Sequence, residues 1–260
     1  MDVNSKITPS GALSGLNPNG SAIRGNWIYI VDIETGQAMY KRQVIGAVAS
    51  ETAAVDTDQD GVLDRLYVPT IAGLVYSVDI GPDAGGNVPA LDSTPPAVLG
   101  MDGNVHSVPE RIPAADWQPR VIFDTLGTAS AVDATMVRRP VYHRPSVFFV
   151  AKLGLYGLAF GSGDREDLWS VSNAEGRFWV MVDDTNPLSA PREESTLASV
   201  TSSQADTAGD LLLDPTLAPG SRGWYIELNE NERVITDAFA LSGVTIFSSF
   251  EPRTDITDED

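Results

Sequence analysis

The chain has 260 residues, 42% of them hydrophobic, with 17 basic against 36 acidic residues, a formal net charge of -19 and no cysteine. That length and apolar content suit a folded protein with a large core, either one big all-β domain or two smaller ones. The acidity argues against nucleic acid or anionic membrane partners and for divalent cations. The missing cysteines exclude disulfides, thiolate metal sites and a cysteine nucleophile, and His106 and His143 are too few for a histidine-rich zinc site.

Residues 1–24 read as a flexible lead-in. Met1-Asp2-Val3-Asn4-Ser5-Lys6 lacks the basic-then-apolar order of a signal peptide. No apolar run approaches the roughly 20 residues of a transmembrane helix. The chain is then either cytosolic or a piece of a longer exported protein, and the repeats below favour the second.

Strand signals begin at Trp27-Ile28-Tyr29-Ile30-Val31-Asp32, followed by the turn Glu34-Thr35-Gly36-Gln37 and a second run, Ala38-Met39-Tyr40-Lys41. Leu66-Tyr67-Val68, a turn at Ala72-Gly73, and Leu74-Val75-Tyr76-Ser77-Val78-Asp79 repeat the pattern. Val31-Asp32-Ile33 and Val78-Asp79-Ile80 end the two units alike. The period of roughly 45–50 residues is that of propeller blades.

The second unit opens with Asp56-Thr57-Asp58-Gln59-Asp60-Gly61-Val62-Leu63-Asp64, the most informative stretch of the chain. Calcium is a hard cation that takes six to eight oxygens at roughly 2.3–2.6 Å. Carboxylates at loop positions 1, 3, 5 and 9 and a carbonyl at 7 can wrap it; here these are Asp56, Asp58, Asp60, Asp64 and the Val62 carbonyl. Gly61 falls where such a loop turns sharply. Four carboxylates so close repel one another without a cation. The alternative is a solvated acidic turn, since Asp and Gly are common in turns. An ordinary EF-hand is excluded: Tyr67 stands at position 12, where the bidentate Glu belongs, and both flanks read as extended. An ion there staples two strands of a sheet, which suits a structural or tuning site more than a helix-opening sensor.

Residues about 81–118 look like a long excursion from the sheet. Strands resume at Arg120–Phe123, Ser146–Val150, Leu155–Phe160 and Arg177–Val182. Residues about 185–222, rich in Ser, Thr, Ala, Asp and Pro, read as a second insertion. A hairpin is expected from Trp224–Leu228 through Asn229–Glu232 to Arg233–Ile235, then a strand over Val244–Phe250 and an acidic tail at 253–260. Long helical periodicity is absent. The expected fold is therefore all-β, a partial or atypical β-propeller of about four blades over residues 25–252, with long loop insertions.

Several segments resemble a known family. Tyr29-Ile30-Val31-Asp32-Ile33-Glu34-Thr35-Gly36 resembles the blade signature of quinoprotein-like propellers, and Val55–Ile80 is similar to the calcium-loop blade of PilY-type type IV pilus proteins. Pro140–Pro145, Phe160–Arg165 and Gly223–Leu228 with Glu232-Arg233-Val234 agree in order. The resemblance implies a C-terminal propeller domain of a pilus-biogenesis factor and tip adhesin, exposed at the cell surface. It implies calcium bound by Asp56, Asp58, Asp60, Val62 and Asp64, tuning pilus function or adhesion. Pilus components or a host or surface ligand would be the partners. Two features depart from the family pattern: Pro69-Thr70 replaces the usual Gly-Asp, and Tyr76-Ser77 the usual Trp-Arg.

No enzyme is expected. Quinone-dependent dehydrogenases are the alternative, because they share the fold and bind calcium, but their ion is held by residues from different blades. The five tryptophans (Trp27, Trp117, Trp169, Trp179, Trp224) suit packing better than a quinone clamp. Gly161-Ser162-Gly163 is not a nucleophile elbow. A third reading is a propeller whose calcium only stabilises. The Arg138-Arg139 island is expected to pair internally, and His143 to be packed and hydrogen-bonded.

Overall fold

In the computed structural model the described residues are 25–36, 38–57, 61, 63–80, 117–130, 133–164, 168, 175–184, 190–200, 212, 222–241 and 243–252, with the backbone alone at 97–99 and 105–107. Strands dominate them, and no sheet closes on itself among them.

The chain lays down sheets one after another. β1 (Trp27–Val31) and β2 (Ala38–Gln43) form an antiparallel hairpin. Its turn is shaped by Asp32, whose Oδ1 accepts from the Glu34 and Thr35 amides and the Thr35 hydroxyl. β3 (Ala53–Val55), β4 (Arg65–Pro69) and β5 (Leu74–Asp79) follow as a meander. A side hairpin of β6 (Ala97–Leu99) and β7 (Val105–Ser107) comes next, and β8 (Pro119–Asp124) then pairs with β5. In the β4–β5 turn Gly73 has φ +78°, and an added Cβ would strike the Thr125 hydroxyl and the Arg139 carbonyl, so only glycine fits.

β9 (Gly127–Thr128) and β10 (Met136–Val137) make a short ribbon. A second antiparallel meander contains β11 (Ser146–Val150), β12 (Leu155–Gly161) and β13 (Arg177–Val182). Next come β14 (Arg192–Glu193), a 3-10 turn at Glu194–Thr196, β15 (Ala198–Ser199) and β16 (Gly223–Glu227), the last pairing with β13. The chain finishes with β17 (Arg233–Val234), β18 (Phe239–Leu241), β19 (Val244–Ile246) and β20 (Ser249–Phe250), paired β17–β20 and β18–β19.

Alternation along the strands stacks these sheets. Side chains of a strand point to opposite faces by turns, so a strand covered on both sides reads as a continuous apolar run. On β12 and β13, Leu158, Phe160, Trp179 and Met181 face one way, against Tyr67, Val75, Ile122 and Phe123 of the other five-stranded sheet. Phe123, Phe160 and Trp179 meet there with ring centroids 5.4–5.6 Å apart. Ala159, Phe178 and Val180 face the other way, under Val234 and Phe247. Leu66, Val68, Leu74, Tyr76 and Val78 turn from the central core toward Ile28 and Tyr40 of the first hairpin. Four layers result: the β1–β2 hairpin, two five-stranded sheets, and the C-terminal ribbons.

Three details differ from expectation. β16 does not form a hairpin with β17, because β13 and β15 occupy its two edges. Asn231, at φ 61°, turns the chain out of that sheet, and the Val234 amide bonds the Ser162 carbonyl instead. The apolar run after Val244 is not one strand but two, in different ribbons. Within 185–222, residues 192–199 lie in the sheets: β14 runs parallel to β8 and β15 parallel to β16, tying the two large sheets together. Two-residue strands carry no periodicity, so composition hides them. The side hairpin occupies part of 81–118; residues 1–24, the acidic tail and Trp169 lie outside the described residues.

Candidate metal loop at the junction of the two sheets

The acidic loop connects β3 to β4 and is closed at its base by the strand register. Val55 stands opposite Arg65, and the Asp64 amide bonds the Val55 carbonyl at 2.9 Å. Asp56 and Asp64, first and last of the five expected ligands, are therefore neighbours across the loop mouth. Asp58, Asp60 and Val62 lie outside the described residues, and among the described residues no three His, Cys, Asp or Glu side chains are grouped to hold a metal.

The described part of the loop is held by local hydrogen bonds to its first and last carboxylates. Gly61 adopts φ +89°, a left-handed turn that side chains disfavour, and its amide donates to Asp56 Oδ2 at 2.8 Å. Asp64 is only 5% exposed. Its Oδ2 accepts from the Thr57 amide at 2.6 Å and the Thr57 hydroxyl at 2.7 Å. Its Oδ1 is buried without a hydrogen-bond partner among the described residues. A buried carboxylate oxygen with nothing to accept from is costly unless a cation meets it. The donor set is all hard oxygen, which suits calcium.

The loop also touches the second large sheet. The Tyr156 hydroxyl on β12 reaches the Asp56 carbonyl at 3.3 Å and the Thr57 carbonyl at 3.4 Å. Just past Asp64, Arg65 Nε pairs with Asp79 Oδ1 at 2.5 Å, while its Nη1 reaches Asp183 Oδ2 at 3.2 Å. Asp183, 1% exposed at the end of β13, also accepts from the Tyr67 hydroxyl at 2.9 Å and faces Arg120 at 3.5 Å. Burial first, then the Asp183 carboxylate, hold the Tyr67 hydroxyl far above the usual phenol range, so it stays a donor. The loop is anchored where the two sheets meet.

A second buried ionic cluster lies at the opposite end of β13. Glu194 accepts from Trp179 Nε1 at 3.1 Å and Arg177 Nε at 3.4 Å, and Arg139 Nη1 lies 3.8 Å away. Burial lifts the Glu194 carboxyl above its ordinary range against the pull of Arg139 and Arg177. Burial, and then Arg177, bring the Arg139 guanidinium down to about 10. Arg138 grips Asp124 through Nε and Nη2, both at 2.7 Å, so the basic island pairs internally. His143 is buried with Nδ1 3.6 Å from Asp237, and Asp164 accepts from the Tyr142 hydroxyl at 3.1 Å. Asp183 and Glu194 escaped the sequence reading, although the Asp pair ending the apolar run 178–182 was a usable signal.

The arrangement defines an all-β protein of stacked, mostly antiparallel sheets with an acidic loop at a sheet junction. No family model and no curated protein matches the chain. Among solved structures it is similar to the crystal structure of the Pseudomonas aeruginosa PilY1 C-terminal domain, with a TM-score of 0.56 and 16% identity over 87% of this chain. The match covers 50% of that chain, so this protein spans half the neighbour's length. At that identity the likeness concerns the fold. No helix among the described residues is long and apolar enough to cross a membrane.

Proposed function

We propose that the protein is a calcium-binding, propeller-like domain of a surface-exposed protein of type IV pili, and that it works by binding rather than catalysis. The observation that carries the metal is Asp64 Oδ1, a buried carboxylate oxygen without a hydrogen-bond partner among the described residues, at the mouth of an all-oxygen loop. Asp56, Asp58, Asp60 and Asp64, with the Val62 carbonyl, would hold the ion, whose two positive charges offset carboxylates that otherwise repel. The propeller reading draws on the two four-stranded meanders packed face to face, and the pilus context on the fold neighbour and the resembling segments.

The chain's own residues give the loop its reach. Gly61 lets the backbone reverse, Thr57 fixes Asp64, and Tyr156 holds the loop against the neighbouring sheet. Ordering the loop therefore sets one shape for the surface at the sheet junction, which is where a pilus component or surface ligand would read it. Thermal melts with calcium and with chelator test this. Calcium should raise the melting temperature of the wild type and leave Asp58→Ala unmoved; equal responses would remove the loop as the site. The Tyr156 anchor also favours a second reading, in which calcium only stabilises the sheet junction. In cells carrying the protein, pilus behaviour insensitive to Asp58→Ala would select it.

A further inference from the structure

Residues 192–199 strap the two large sheets together, β14 along the outer edge of β8 and β15 along the outer edge of β16. A three-residue segment at the end of β13 fastens the start of the strap. The Val182 carbonyl accepts from Arg192 Nη1, and Asp184 Oδ2 lies 3.5 Å from Arg192 Nη2. Between them Asp183 accepts from Arg65 and Tyr67 and faces Arg120 of β8, the strand that β14 pairs with. This fastening is ionic and incompletely bonded. Arg192 is 5% exposed, and its Nη2 and that of Arg120 are buried without a hydrogen-bond partner among the described residues. Buried ion pairs of loose geometry add little net stability, because desolvation offsets their attraction. A modest change nearby is enough to shift such a latch.

One residue joins that segment to the acidic loop. The Tyr156 carbonyl accepts from the Asp183 amide at 2.8 Å, while its hydroxyl donates to the Asp56 and Thr57 carbonyls. We infer that Tyr156 couples the loop to the strap, so that a cation in the loop holds β14 and β15 on their sheets and its loss loosens them. The inference rests on the calcium reading proposed above and adds what the ion controls. The two carbonyls that Tyr156 reaches belong to the first expected ligand and to the residue that fixes the last, so they hold their places only while the loop is closed. Without the ion, carboxylates gathered in one loop push it open. Tyr156 then loses its acceptors, and the end of β13 loses a tie to the other large sheet. Release of the strap opens one edge on each large sheet, and a free edge is where an added strand pairs. Linkage is reciprocal: weakening the strap must weaken calcium binding by the factor by which calcium strengthens the strap.

The test is amide exchange of the full chain with calcium and with chelator, wild type beside Tyr156→Phe, a change that removes one hydroxyl. The Asp64 amide, bonded to the Val55 carbonyl, reports the loop; the Leu197 and Val200 amides, bonded to the Glu194 and Tyr225 carbonyls, report the strap. Saturating calcium should slow all three in the wild type, the strap amides by roughly fivefold or more, the lower end of common couplings. In Tyr156→Phe it should slow Asp64 alone. Arg192→Gln, which removes the bond to the Val182 carbonyl, should bind calcium about two- to tenfold more weakly by calorimetry, the worth of one hydrogen bond. An Asp64 amide protected by calcium beside strap amides that do not respond overturns the coupling and leaves the calcium reading standing. Strap protection that survives in Tyr156→Phe overturns it too, as does an Arg192→Gln affinity equal to that of the wild type. A wild type in which no amide responds and no heat is released brings down the calcium reading, and the coupling with it.

Discussion

Asp64 shows how one side chain can serve both fold and ligand. Oδ2 is committed to Thr57, while Oδ1 is buried without a hydrogen-bond partner among the described residues. Asp64→Asn preserves shape and removes charge, so we predict a calcium affinity lowered about tenfold or more, because ligand charge sets affinity in such loops; titration of the purified variant checks it. Gly163 reports on packing instead. An added Cβ would strike the Val234 carbonyl, a backbone atom that cannot rotate away. Gly163→Ala should cost about 1–3 kcal/mol in denaturant unfolding, the usual scale of overpacking. Glu194 reports on burial. Its carboxyl is raised, so between the unfolded value and the folded one the native state holds a proton the unfolded state lacks, and stability falls as pH rises through that window. Relative to Glu194→Gln, the wild type should therefore gain stability as pH drops from 7 toward 5. A relative loss would show that pairing with Arg139 and Arg177 outweighs burial.

At the scale of elements, the strands that form the layers were readable because both faces are buried. Leu74–Asp79 and Arg177–Val182 announced themselves as mostly apolar and aromatic runs, and the structure places both in the interior of five-stranded sheets. The crossover at 192–199 was not readable. Its strands are two residues each, and what holds them is Glu194 reaching Trp179 and Arg177, and Arg192 bonding the Val182 carbonyl. Those are contacts across the fold, invisible to local pattern. We predict that Trp179→Phe, which deletes the bond to Glu194, releases this crossover first: amide exchange at Leu197 and Val200 should rise while β12 and β13 stay protected. The expected β16–β17 hairpin failed for a related reason. Local sequence marks a turn at Asn229–Glu232, but pairing depends on which edges are free, and β13 and β15 had already taken both.

At the scale of the whole molecule, 36 acidic residues against 17 basic ones burden the folded state with self-repulsion, concentrated where four carboxylates share one loop. The loop's composition and spacing were legible in the chain. Its anchoring was not, because Tyr156 and Asp183 come from the other large sheet, on the order of 100 residues away in sequence. Calcium binding only the native state should stabilise it by about 2.7 kcal/mol at a hundred times its dissociation constant, a rise of roughly 5–10 °C for a chain of this size. The most direct measurement is calorimetric titration of calcium into the wild type and into the double variant Asp56→Ala/Asp60→Ala. We predict one site in the wild type and none in the variant; absence of binding to the wild type, or a site that survives in the variant, would contradict a calcium held by this loop.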